Sequence, residues 1–108
     1  MTLPKSIKIG PHTFTTRVSD AAIMAMADAR GDGISAFTDL SQLTMTFATA
    51  SNLPVSVIHE VLHALFDNCG LNVRLGSDRE EDVIQSIDHG LLAVLRSNPA
   101  LVEYLTKG

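Results

Sequence analysis

Hydrophobic and polar residues alternate near the start of the chain and again near its middle. Ile7, Ile9 and Phe14 are separated by polar residues, and Gly10-Pro11-His12 interrupts the run. Alternation of this kind is typical of strands with one buried side, and Gly-Pro favours a turn. Residues 6–18 are therefore predicted to form a β-hairpin or a strand with a tight turn. Residues 34–38 and 43–48 are predicted as two further strands, with a turn at residues 39–42.

The remaining segments have helical spacing. Ser19 or Asp20 is predicted to cap a helix that runs to about Ala29 and ends at residues 31–33. Pro54 fits the first turn of a second helix, which ends at Gly70. The apolar face of that second helix consists of Ile58, Val61, Leu62, Leu65 and Phe66.

A long helix is predicted to follow and to open with a capping box formed by Ser77 and Glu80. Asn98-Pro99 ends it, and a short amphipathic helix follows. Gly90, inside the long helix, is expected to allow close packing against a neighbour. The predicted buried face of the long helix consists of Val83, Ile84, Ile87, Leu91, Val94 and Leu95.

The second helix contains the most informative motif of the chain, the run His59-Glu60-Val61-Leu62-His63. Residues four apart lie on one helix face, so His59 and His63 can bind one metal ion. Glu60 then lies beside the ion, where a base is needed to take a proton from water. The motif predicts a catalytic zinc site with Glu60 as the general base.

A third protein ligand is needed, because catalytic zinc keeps one position open for water. One class of zinc peptidase takes it six residues after the second histidine, following a glycine turn. Here those positions hold Cys69 and Phe66, so this class is rejected. A second class uses a glutamate from the next helix, which offers Glu80 or Glu81.

We predict that Glu81 is the ligand, because Glu80 is assigned to the capping box. Glu81 also shares a helix face with Gln85 and Asp88, either of which could accept the second ring N–H of a ligand histidine. For stabilising the oxyanion of the reaction, Tyr104, His89, His12 and Arg74 all remain candidates. The strand at residues 43–48 is expected to be a sheet edge to which a peptide substrate could add.

Length, charge and composition limit the classes of protein to which the chain can belong. The 108 residues suit one domain with one core, spanning residues 1–108. The net charge of −4, with no run of Lys or Arg, argues against a nucleic-acid partner. Cys69 is the only cysteine, which fits a reducing compartment, and no segment suggests a signal peptide or a membrane span. A cytoplasmic location is expected, and the sequence does not specify an oligomeric state.

From Gly33 onward the layout resembles a known family. The segments that carry the resemblance are His59-Glu60-Val61-Leu62-His63-Ala64-Leu65, Glu80-Glu81-Asp82-Val83-Ile84, Gly90-Leu91-Leu92 and Asn98-Pro99. They are similar to the minimal zincin-like proteins of phages and prophages, related to the ImmA/IrrE-type metallopeptidases. The resemblance implies zinc bound by His59, His63 and Glu81, with Glu60 as the base. Gln85 stands where many glutamate zincins carry an aspartate.

These observations predict a small α+β, zincin-like domain, in which a short antiparallel or mixed sheet packs on the motif helix and a second long helix. The predicted function is hydrolysis of peptides or proteins with one Zn²⁺ per chain, in the host cytoplasm if the protein is phage-encoded. The alternative is a weakly active or inactive zincin-fold module that acts in phage assembly or binds a host protein. An antirepressor-like peptide binder without metal ranks below both.

Overall fold

The structure is a computed structural model that describes residues 2–51 and 53–107. None of the helices in those two ranges has the length and apolar character needed to cross a membrane. In chain order, the described elements are β1 (Ser6–Ile9), β2 (His12–Val18), α1 (Asp20–Arg30), β3 (Ala36–Asp39), β4 (Thr44–Phe47), α2 (Leu53–Cys69), α3 (Leu71–Leu75), α4 (Ser77–Ser97) and α5 (Pro99–Lys107).

The four strands form one mixed sheet in the order β1-β2-β4-β3. β1 and β2 form the predicted hairpin, with Gly10 at the turn in the left-handed region at φ 57°. β2 pairs in parallel with β4, and β4 pairs antiparallel with β3. Parallel strands need a long connection, and α1 and β3 supply it between β2 and β4.

The predicted sheet edge at residues 43–48 is wrong. β4 lies between β2 and β3, and Met45, Thr46 and Phe47 on β4 are completely buried. The strand at this edge of the sheet is β3. The difference arises because β2 reaches across to pair with β4, a long-range contact that local alternation does not encode.

Helix α2 lies between the sheet and α4. One side of it packs Ala64 against a cluster on the sheet that includes Phe14, Met45 and Phe47. Its other side packs Leu62 and Phe66 against Ile84 of α4. Together the elements form an α+β fold in which the motif helix is held from two sides, which fixes the direction of its histidines.

The ends of the early helices follow the predicted signals. The Ser19 side chain accepts a hydrogen bond from the backbone N–H of Ala22 at 3.2 Å, and Gly31 caps the end of α1 at φ 78°. Gly70 is also left-handed, at φ 78°, and follows α2 directly. The short helix α3 was not predicted, and its first residue, Leu71, packs back against the Leu62 and Phe66 cluster.

Two predictions about α4 are wrong. The residue that caps it is Gly76, with no side-chain cap, so Ser77 and Glu80 do not form a capping box. Of its predicted buried face, Ile84 is fully buried, but the neighbouring apolar residues are not. Their exposed fractions are 37% for Val83, 40% for Ile87, 38% for Leu91 and 48% for Val94. Helical periodicity identifies an apolar face but does not say what covers it.

Candidate metal centre

The motif histidines meet on one face of α2. Their Nε2 atoms are 3.2 Å apart, and the rings lie edge to face at a centroid distance of 4.9 Å. Spacing of four residues places both side chains on one side of the helix, as the sequence predicts. The packing of α2 between sheet and α4 directs that side into a cleft.

Glu81 of α4 reaches both histidines. Its Oε1 lies 2.9 Å from His59 Nε2, and its Oε2 lies 2.9 Å from His63 Nε2. Gln85, one turn further along α4, donates a hydrogen bond to Glu81 Oε1 at 3.1 Å. Gln85 therefore orients Glu81 rather than a histidine ring.

The other ring nitrogen of each histidine contacts a second carboxylate. His59 Nδ1 lies 2.9 Å from Asp88 Oδ2, and His63 Nδ1 contacts Glu80 Oε2. The contact between His59 and Asp88 is one of the two that the sequence predicts as possible. The contact between His63 and Glu80 is not predicted, because the sequence analysis assigns Glu80 to a helix cap. That cap does not form, and the Glu80 side chain turns into the site instead.

Asp88 links the centre to a third histidine. The carboxylate is 4% exposed, and its Oδ1 accepts a hydrogen bond from His89 Nδ1 at 2.8 Å. Burial alone would raise the pKa of Asp88, but the hydrogen bonds from His59 and His89 outweigh it and hold that pKa below its ordinary value. Asp88 is therefore a charged acceptor at neutral pH, suited to fixing the His59 ring.

Glu60 is the other buried carboxylate of the site. Its residue is 6% exposed, and its Oε1 accepts a hydrogen bond from the Thr38 hydroxyl at 2.8 Å. Burial raises the pKa of Glu60 above its ordinary value, while the Thr38 hydroxyl and the two histidines oppose that rise. No sequence signal points to Thr38, which lies on β3 and reaches α2 only through the sheet order.

These residues line a cleft of about 1150 Å³ between β3, α2 and the first half of α4. The segment after α1 closes another side, with Asp32 and Gly33. Among the four candidates for stabilising an oxyanion, His89 lines this cleft. Within the described residues, the lining does not include His12, Arg74 or Tyr104.

The centre has the composition of a metal site. One ligand atom each from His59, Glu60 and His63 lie within 4.8 Å of one another, so this group could hold a metal ion. Glu81 adds a fourth candidate donor at shorter distances from both histidines. The structure thus brings together all four residues that the sequence selected.

In comparisons with known proteins, no family model, no curated protein and no solved structure matches the chain.

Proposed function

We propose that the protein is a zinc-dependent metallopeptidase that binds one Zn²⁺ through His59, His63 and Glu81 and uses Glu60 as general base. The observation that carries the proposal is the convergence of three donor atoms from two helices. The resemblance to phage-encoded, ImmA/IrrE-type zincins leads to the same ligand set, and the phage origin belongs to this proposal.

The donor set fits a divalent cation. With the Nδ1–H groups directed at Asp88 and Glu80, each imidazole presents its Nε2 lone pair to the other and to Glu81. In that tautomer, the two Nε2 lone pairs and the Glu81 oxygens repel one another unless a cation or a shared proton lies among them. The two Nε2 atoms are 3.2 Å apart, close to the spacing of two zinc ligands, and each lies 2.9 Å from a different oxygen of Glu81. Ligands at about 2.0 Å in a tetrahedron are about 3.3 Å apart.

Glu81 is a better third ligand than Glu60. Both Glu81 oxygens already contact the Nε2 atoms, whereas a Glu60 oxygen is held by the Thr38 hydroxyl at 2.8 Å. Glu60 lies near enough to exchange protons with a molecule bound at the centre. Three protein ligands leave one tetrahedral position open, as hydrolysis requires.

Zinc held by His59, His63 and Glu81 would supply Lewis-acid chemistry that makes water a better nucleophile and a carbonyl a better electrophile. Glu60 accepts a proton from the attacking water, whose oxygen bonds to the carbonyl carbon. Glu60 then gives that proton to the amine nitrogen as the peptide C–N bond breaks.

The substrate proposed for this site is an extended peptide that pairs with β3. This strand lies at the edge of the sheet, and Ala36, Phe37 and Thr38 line the cleft beside α2. An added strand would be held by main-chain hydrogen bonds, next to Glu60. His89 lines the same cleft and is the candidate oxyanion donor.

The test combines metal analysis with cleavage of a peptide library. The wild type should hold one zinc per chain, and His59→Ala should lose most of it. Glu60→Gln should keep the zinc but lose at least about 100-fold in cleavage, the usual contribution of a general base. Glu103→Gln, an exposed acid-to-amide change on α5, is the matched control and should cleave normally.

Two results would contradict the proposal. Cleavage by Glu60→Gln at the wild-type rate removes Glu60 as the base. A protein without zinc that folds normally in the presence of a chelator removes the metal site. Stoichiometric zinc without cleavage of any peptide favours the alternative function, a zincin-fold binding module.

A further inference from the structure

α4 carries, from Val83 to Val94, an apolar stripe that the described chain leaves partly exposed. Val83, Ile87, Leu91 and Val94 are each 37–48% exposed. At 100° per residue they fall within about a quarter of the helix circumference. α5 follows directly and adds Leu101 and Leu105, which are 40% and 63% exposed. These six residues are called the α4–α5 stripe below.

Gly90 interrupts α4 in the middle of this stripe. A Cβ atom built on Gly90 meets no heavy atom within 4 Å, so no neighbour in the described chain approaches it. Glycine is unfavourable inside a helix, and close approach of another element is a common reason to find it there. Within the described residues, the predicted close neighbour of Gly90 is therefore absent.

Taken together, the six residues expose about as much apolar area as one side of a dimer interface. Its exposed fractions correspond to roughly 500 Å² of apolar surface, at the upper end of what single chains expose. A stable interface buries about 800 Å² per partner, of which about 60% is apolar. One copy of the stripe thus supplies about the apolar area that one side of such an interface needs.

We propose that the α4–α5 stripe is the interface of a homodimer in which two α4 helices cross antiparallel at Gly90. A two-fold axis near Gly90 places Ile87 of one copy opposite Val94 of the other, and the glycine lets the backbones approach. The arrangement is independent of the proposed function.

Charge favours the antiparallel orientation. Besides the glutamates of the metal centre, the first turns of α4 contain Asp78 and Asp82 against one cation, Arg79. The opposite end has Arg96 in the last turn of α4, and Lys107 in the last turn of α5 pairs with Glu103. Antiparallel pairing brings the acidic end of each copy toward the basic end of its partner, whereas parallel pairing brings like charges together.

The metal centre stays accessible in this dimer. Glu81 and Asp88 are about a third of a turn away from the middle of the stripe around α4. They face α2, where they contact His59. Each copy therefore keeps its own cleft.

Sedimentation equilibrium of the full chain tests the association. We expect a monomer–dimer equilibrium, with a dissociation constant raised at least about 10-fold by Ile87→Lys and by Gly90→Gln. Val73→Lys and Ala25→Gln are the matched controls: each makes the same type of change at an exposed helical position outside the stripe. Both controls should associate like the wild type, and circular dichroism should show all four variants folded.

Cysteine crosslinking tests the orientation. In a Cys69→Ser background, Ile87→Cys and Val94→Cys chains should form a mixed disulfide when combined, and neither should crosslink to itself. A wild type that stays monomeric at about 100 µM overturns the dimer. So does association that Ile87→Lys and Gly90→Gln leave unchanged. Crosslinking of Val94→Cys to itself overturns the antiparallel arrangement.

Discussion

Asp88→Asn is the change that best separates a built metal centre from a chance cluster of polar residues. The Asp88 carboxylate is 4% exposed and lies 2.9 Å from His59 Nδ1. Asparagine keeps the shape but loses the charge, and its amide can turn an N–H toward the ring. Loss of such a carboxylate behind a ligand histidine usually weakens metal binding about 10- to 100-fold, or about 1.4–2.8 kcal/mol.

The dissociation constant of zinc would be measured by competition with a fluorescent chelator at constant pH. Asp82→Asn is the matched control, because it makes the same chemical change on an exposed part of α4. His89→Ala is a second control: it removes the exposed partner of Asp88 but leaves the contact to His59. Both controls should bind zinc within about threefold of the wild type.

We expect a loss of zinc affinity near 100-fold, because Asp88 is buried and accepts hydrogen bonds on both oxygens. An amide in the same place leaves at least one buried partner poorly satisfied. If folded Asp88→Asn binds zinc as tightly as Asp82→Asn, then the His59 ring is not held by Asp88. The assignment of Nε2 as the metal-facing nitrogen would lose its main support.

Two further predictions concern hydrogen bonds to carboxylates. Thr38→Val removes the hydroxyl that lowers the pKa of buried Glu60. The acidic limb of the pH profile of kcat/KM should therefore shift to higher pH. An unshifted limb would mean that Thr38 does not contact the base. Hydrogen bonds from the backbone N–H and the hydroxyl of Thr49 lower the pKa of Asp20 from 3.8 in the folded protein. The ionised Asp20 side chain therefore stabilises the fold above pH 3.8. That stabilisation is lost as the pH falls through the lower pKa of the folded state. The stability difference between wild type and Asp20→Asn, measured by urea unfolding, should therefore shrink below about pH 4, and a constant difference would contradict the argument.

The sequence predicts those parts of the fold that depend on neighbouring residues. The β1–β2 hairpin, the glycine caps at Gly31 and Gly70, and the motif helix all follow from periodicity and turn chemistry within a few residues. The pairing of His59 with His63 needs no more than helical spacing, so this half of the centre can be predicted from the sequence alone.

The sheet order could not be predicted in the same way. β2 and β4 are separated by α1 and β3, and their parallel pairing depends on how the whole chain packs. The position of β3 at the edge follows from that pairing. Thr38 lies 22 residues before Glu60, and its contact with the carboxylate is a consequence of the sheet order rather than of any local pattern.

Glu80 and Glu81 show a different limit of prediction from the sequence. Adjacent glutamates at a helix start are equally consistent with capping, metal binding and solvent exposure. In the structure Gly76 begins the helix without a side-chain cap, which leaves Glu80 free to contact His63 while Glu81 reaches the Nε2 atoms. The sequence selected Glu81 on a capping argument that the structure does not support, although Glu81 does lie at the centre.

Two faces of α4 thus have separate tasks. Residues 80–88 span about 12 Å of helix and supply three carboxylates to the histidines of α2. Ile84 lies between these acids and is the apolar contact that docks this face onto Leu62 and Phe66. The partly exposed apolar stripe begins on another face at Val83 and Ile87, and it continues to Val94 in the roughly 13 Å of helix beyond Asp88. The metal centre therefore does not explain the length of α4, and the proposed pairing with a second copy would use the face that the centre leaves exposed.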